Sequence, residues 1–167
     1  MSNPKEDRVD RMLAQWGRER PDLDPTALAI VLRILILGGT LAERLKSALA
    51  PLDLAPFEFD VLSALRRTGK RGGMSPGELC EAAQLTTGAM THRLKRLEAR
   101  GFVQRTVDPE DGRGRFVLLT QAGRKIADRA IEARMQEARD SIAHLSEPSQ
   151  RELRALLRRL CLGLPHP

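Results

Sequence analysis

The sequence predicts a mainly α-helical chain with one small β-hairpin, and three observations carry that reading. Apolar residues recur at helical spacing through most of the chain. Two short β-prone runs, Phe102–Val107 and Arg115–Leu119, flank the turn-forming segment DPEDGRG. A short helix, a tight turn and a longer helix stand directly before that hairpin, which is the order of a winged helix-turn-helix.

Each element has a local reason. Residues 5–18 form an amphipathic helix with Val9, Met12, Leu13 and Trp16 on one face. Pro21 breaks it, since its ring disfavours helix at Arg20, and Asp24 caps a new helix whose first position is Pro25. That second helix, 25–50, is apolar almost all round over Leu28–Leu37. One small domain can hardly bury such a helix, so part of it is expected to be a subunit interface. Pro51 ends it, and Pro56 opens a third helix with Phe59, Leu62 and Leu65 facing inward, closed by Gly69, Gly72 and Gly73. Ser75 and Glu78 form a capping box for a short helix to Ala83. The turn Gln84-Leu85-Thr86 leads into a longer helix, Thr86–Arg100, stopped by Gly101. After the hairpin, Thr120 caps a long helix to about His144, with a stripe of Ala122, Ile126, Ala130, Met135, Ala138 and Ile142. Ser146 caps a last helix carrying Leu153, Leu156, Leu157 and Leu160 on one side. The chain thus divides into N-terminal helices (1–50), a winged helix-turn-helix (51–120) and C-terminal dimerisation helices (121–167).

Composition narrows the function. At 167 residues the chain suits one domain with oligomerisation arms, and 41% hydrophobic residues are too many for a disordered chain. The best apolar run, Ala27–Leu37, is 11 residues with Arg33 inside it, so a membrane-spanning helix is excluded on this reading. No apolar leader opens the chain. Cys80 and Cys161 are far apart with no CxxC, so a disulfide framework and a cysteine zinc site are not expected; both read as packing residues in a reducing cytoplasm. His92, His144 and His166 are scattered, and no nucleophile triad, phosphate-cradling loop or HExxH is present. No catalytic residue, metal or cofactor is therefore assigned. The net charge of +6 is uneven: residues 1–85 balance, whereas 86–120 hold seven basic side chains against four acidic. A basic excess in one short stretch favours a polyanionic partner, with a merely solvated basic face as the alternative.

The densest signal is LTTGAMTHRLKRLEARGFVQRTVDPEDGRGRFVLLT, Leu85–Thr120. A capped helix ending RLxxLExxG, two short strands, a DxR at the wing tip and a closing LT resemble the MarR family of bacterial transcription regulators over about residues 28–145. The N-terminal extension with Trp16 and ERPDLD is similar to a smaller urate-responsive subgroup.

A helix that reads base edges in the major groove needs short polar residues at its start and basic ones on its outer face. Thr86, Thr87, Thr91, His92, Lys95 and Arg96 fill those roles, Gly88 permits close approach, and Met90, Leu94 and Leu97 face inward. Ser75, at the start of the preceding helix, joins the DNA-contact set. Arg113 and Arg115 on the wing suit a narrow minor groove, and the resemblance implies that Asp111 orients Arg113. An ordinary surface hairpin is the bland alternative.

Arg93 is out of place, because it falls on the inward stripe of the reading helix, where an arginine needs an anionic partner. Asp60 and Arg67 are seven apart, within ~20° of each other around a helix. Asp60, Arg67 and Arg93 are expected to form a buried cluster in which both arginines share the aspartate and keep positive charge for an incoming anion. The resemblance to the urate-responsive subgroup implies a ligand set of Trp16, Asp60, Arg67 and Arg93, the tryptophan walling a planar ligand. A cluster that only braces the fold is the alternative. The expected protein is a cytoplasmic, homodimeric regulator that binds a pseudo-palindromic operator in double-stranded DNA. A small planar anion, urate or an aromatic acid, is expected to release it. A constitutive winged-helix DNA binder without an effector remains the other reading.

Overall fold

The computed structural model describes residues 6–69, 73–83, 87–107 and 115–164. In chain order they form α1 (Arg8–Glu19), α2 (Thr26–Leu49), a 3-10 turn (Ala50–Leu52), α3 (Pro56–Thr68), α4 (Pro76–Ala83), α5 (Thr87–Ala99), β1 (Val103–Val107), β2 (Arg115–Leu119), α6 (Gln121–Ile142) and α7 (Glu147–Gly163). The expected mainly α fold with a two-stranded wing is what forms. Gly72 and the turn Gln84-Leu85-Thr86 lie outside the described residues. Two compact units divide the chain, residues 1–44 and 45–167.

In the first unit, Asp7 caps α1 by accepting the Val9 and Asp10 N–H groups at 2.7 and 2.9 Å, and Asp10 returns the bond to the Asp7 N–H at 3.0 Å. Arg33 of α2 reaches both carboxylates, Nε to Asp7 at 2.8 Å and Nη2 to Asp10 at 2.6 Å. The Asp10 N–H, and then the Arg33 guanidinium, hold the Asp7 carboxyl below its ordinary range. Val9 is buried, Met12 and Leu13 are half-buried, and Asp24 accepts the Thr26 N–H at 3.0 Å where α2 begins.

The apolar stretch is longer than the 11-residue run read from the sequence. From Thr26 to Leu52 the chain is long and apolar enough to cross a membrane by composition, with a mean hydropathy of 1.8 over its best window. The 11-residue run understates it, because Gly38, Gly39, Thr40, Leu41 and Ala42 extend the uncharged stretch beyond Leu37. Within one chain this helix is not buried on several sides: Leu28, Ile30, Val31, Leu35, Ile36, Leu37 and Leu41 are all exposed.

The core of the second unit is Leu62 and Val61 from α3, Leu79 from α4, Met90, Leu94 and Leu97 from α5, and Val117 from β2, each almost fully buried. Met90, Leu94 and Leu97 are the inward stripe expected of α5; of the α3 face expected, Leu62 and Leu65 are buried and Phe59 is half-buried, with Val61 in addition. Strands β1 and β2 pair antiparallel from Val103↔Leu119 to Val107↔Arg115. Met74 adds a third short rung, exchanging two backbone hydrogen bonds with Val117 at 3.0 and 2.8 Å. Its neighbour Gly73 sits at φ +89°, and a Cβ there would stand 2.5 Å from the Val117 carbonyl oxygen, so only glycine fits. The other end of the wing is closed as tightly. Thr120 accepts the Gly123 N–H at 2.9 Å and donates its hydroxyl to the Gly101 carbonyl at 2.7 Å. A Cβ on Gly123 would lie 1.8 Å from the Phe102 carbonyl oxygen. Ser146 caps α7 as expected, but the α7 leucines 153, 156, 157 and 160 are exposed.

Candidate nucleic-acid interface and the charged cluster behind it

Helix α4 is capped reciprocally: the Ser75 N–H donates to Glu78 at 2.8 Å, and the Glu78 N–H donates to the Ser75 hydroxyl at 3.2 Å. The Ser75 side chain is thus committed to its own helix, a task beyond the DNA contact expected of it. On α5 the polar and apolar faces separate as expected. Thr91, His92, Lys95 and Arg96 are exposed, opposite the buried Met90, Leu94 and Leu97. Gly88 is exposed as well, and a Cβ there would meet nothing within 4 Å. Thr87 begins α5 and Arg115 begins β2. Thr86, Asp111 and Arg113, with the hairpin tip, lie outside the described residues. Arg105 on β1 pairs with Glu98 of α5 at 2.8 Å and ties the wing to the reading helix.

The strongest charged contact is one that residue spacing does not announce. Glu58 is 0% exposed, and its carboxylate accepts the Ala55 N–H at 2.9 Å, Arg96 Nε at 3.0 Å and Arg100 Nη1 at 3.0 and 2.9 Å. Arg100 continues to Asp53 at 3.1 Å and lies 4.8 Å over the Phe102 ring. A buried carboxylate is tolerable only when paired and hydrogen-bonded in this way. The one sequence signal is its place at the third position of a helix opened by Pro56, where a glutamate reaches back to the chain entering the helix. Arg96, expected purely as a DNA contact, is therefore half tethered. Its side chain is 52% exposed, but its Nε is held by Glu58 and its guanidinium lies 5.6 Å from the Phe57 ring centroid.

The ligand cluster is looser than expected. No ion pair joins Asp60 to Arg67 or Arg93 among the described residues, so the shared-aspartate arrangement is corrected. Arg67 is exposed and donates Nη2 to the Ala82 carbonyl at the C-terminal end of α4. The reason is the helix rise. Seven residues bring Asp60 and Arg67 to one face but leave them ~10 Å apart along the axis, while the free carbonyls ending α4 lie closer. Arg93 is half-buried with its guanidinium 5.2 Å from the Phe57 centroid, and its Nη1 is buried without a hydrogen-bond partner among the described residues. Burial pushes the Asp60 carboxyl above its ordinary range, against the opposing pull of Arg93. Asp60, Ser63, Arg67, Ala82 and Ala83 line a cavity of about 300 Å³. Ser63 is an addition to the expected set; it lies between Asp60 and Arg67 on the same helix, and its hydroxyl donates to the Asp60 carbonyl at 3.1 Å. Trp16 belongs to the first unit and is 48% exposed; the other three ligand candidates belong to the second.

Cys80 is partly buried against the core as expected, whereas Cys161, also expected to pack, is exposed on α7. Among the described residues no group of three His, Cys, Asp or Glu side chains is placed to hold a metal ion.

Comparison with known proteins agrees with this geometry. The family model that matches residues 52–114 is that of the MarR family. The HTH-type transcriptional regulator PecS of Dickeya dadantii is 31% identical over 152 residues, covering 91% of this chain and 92% of that protein. The HTH-type transcriptional repressor Rv2887 of Mycobacterium tuberculosis is 36% identical over 125 residues, 74% of this chain and 87% of that one. A mutant MarR from Escherichia coli, solved in complex with operator DNA, superposes with a TM-score of 0.68 at 26% identity, covering 90% of this chain and 98% of that one.

Proposed function

Because this chain belongs to the MarR family of DNA-binding transcriptional regulators, we propose that it acts as a homodimeric repressor whose operator affinity is lowered by a small planar anion, urate or an aromatic acid. The observation that supports a ligand is Arg93. It stands on the helix that reads DNA, with one guanidinium nitrogen buried and lacking an acceptor among the described residues, and its charge acts on Asp60, which lines a cavity with Arg67. A buried donor without a partner is costly, and an anion entering beside Arg93 would remove that cost. The same anion repels the Asp60 carboxylate. The first effect acts on α5 itself and the second on α3, which packs against α5, so ligand and DNA compete through the reading helix.

On the DNA side, Thr87, Gly88, Thr91, His92 and Lys95 read the major groove, with Thr86 completing the set. Arg113, oriented by Asp111, and Arg115 engage the minor groove beside it. The exposed leucines of α2 and α7 are the surface available to a second copy. A two-fold dimer reads a pseudo-palindrome with half-sites ~34 Å apart. A regulator of this kind works in the cytoplasm, where its operator DNA is.

The test is a panel of urate, salicylate and related aromatic acids, read by loss of operator binding in a gel-shift assay. An effector should weaken operator affinity about 5- to 150-fold, the usual range for coupled sites. Arg93→Ala and Asp60→Asn should keep DNA binding and lose most of that response. Wild-type response in both variants would move the ligand elsewhere. No response of the wild-type protein to any of the panel would favour a constitutive DNA binder.

A further inference from the structure

We infer that Phe57 is the positioning residue that links the anion site to the DNA-reading face, one ring shared by two guanidiniums of α5. This rests on the ligand reading above. Arg93 and Arg96 lie 5.2 and 5.6 Å from the same Phe57 centroid. Both distances fall within the range at which a guanidinium feels the ring quadrupole. The two arginines are three residues apart, neighbours on the helix surface whose like charges repel. The ring offsets that repulsion for both at once.

The two are held unequally. Arg96 has a second anchor in the buried Glu58, 3.0 Å from its Nε. Arg93 has the ring, the neighbourhood of Asp60 and an Nη1 without an acceptor among the described residues. An anion in the cavity offers Arg93 a charge-assisted hydrogen bond, stronger than a cation–π contact at a partly open site. Arg93 therefore leaves the ring when the anion arrives, and Arg96 stays. The ring is released from one of its two partners, and the outer face that Arg96 shares with Lys95 and His92 is re-aimed. Phe57 touches the reading helix from α3, the same helix that carries Asp60, Ser63 and Arg67, so no long path is needed.

The experiment uses the full chain and Phe57→Leu, which keeps apolar bulk and removes the quadrupole. The first arm needs no ligand. Operator affinities of Arg93→Gln, Arg96→Gln and the double variant are measured in the wild-type background and again in the Phe57→Leu background. With the ring present the two arginine changes should be non-additive, and in Phe57→Leu that coupling should differ by about threefold or more, since only the direct repulsion of neighbouring like charges is then left. Equal coupling in both backgrounds overturns the inference. In the second arm urate binding is followed by calorimetry and operator release by gel shift. Phe57→Leu should bind urate within about twofold of wild type yet release operator at most about threefold, against the larger wild-type ratio. Wild-type release by Phe57→Leu overturns the inference while leaving the ligand reading intact. Absence of urate binding in the wild type defeats urate as the ligand, and the first arm still decides the ring. Phe57→Tyr, which keeps the ring, should restore both coupling and release; failure of that rescue counts against the ring and in favour of simple packing.

Discussion

Glu58 and Arg100 meet as a buried carboxylate gripped through both oxygens by one guanidinium nitrogen, at 3.0 and 2.9 Å. The contact joins the first turn of α3 to the residue just past the end of α5, 42 positions later in the chain. Removing the carboxylate leaves two arginines facing a buried gap, so Glu58→Ala should cost roughly 3–5 kcal/mol, the usual penalty for breaking a buried pair from one side. Asp53→Ala, which removes the exposed end of the same network, should cost less than about 1 kcal/mol. Urea unfolding of the two variants checks the contrast; similar losses would mean that Glu58 contributes no more than a surface pair.

Asp60 gives a pH signature. Its carboxyl is raised above the ordinary 3.8 by burial, with Arg93 opposing. A folded-state pKa above the unfolded one means that stability is fullest below the unfolded value and is lost as pH rises through the folded one. Asp60→Asn, which mimics the protonated acid, should therefore match wild type below pH 3.8 and exceed it at neutral pH. Unfolding midpoints across that range are the measurement. A variant less stable than wild type at neutral pH would show that the ionised carboxylate braces the fold.

The wing tip is tested by salt. Arg113→Ala should reduce the slope of log affinity against log salt by roughly one and weaken binding most at A·T-rich flanks, where the minor groove is narrow. An unchanged slope would take the wing out of DNA binding. Lys95→Ala should weaken binding through the major-groove helix, with no preference for A·T-rich flanks.

Dimerisation is tested by truncation. Removing residues 146–167 deletes α7 and one of the two exposed leucine-rich surfaces. Sedimentation should show the shortened chain aggregated or unfolded, because part of the apolar surface expected to bury in a dimer would be missing. A soluble monomer that still binds operator would rule the dimer out.

Local chemistry is readable in the chain. The Ser75–Glu78 box, the Thr120 and Ser146 caps and the Met90, Leu94 and Leu97 stripe need only neighbours within a turn or two, and each stands where spacing puts it. The charged contacts are harder, because they depend on distances between helices. Angular spacing brings Asp60 and Arg67 to one face without accounting for the rise between them. Glu58 carries a visible sign as a helix-start glutamate, but nothing nearby announces partners 38 and 42 residues away. Arg33 misleads in the opposite sense. It reads as an interruption of an apolar run, yet it is the attachment point for two carboxylates, Asp7 and Asp10, at the start of α1.

That attachment bears on how the chain is made. Synthesis runs from the N-terminus, so Asp7 and Asp10 leave the ribosome before Arg33 does, and α1 is already available when the apolar helix emerges. Without α1, a nascent segment with the hydropathy of a membrane anchor would be presented with an uncompensated arginine in its first third. The acidic cap of α1 thus gives Arg33, the one charge between Ala27 and Ala42, a water-side partner before any second copy of the protein is at hand.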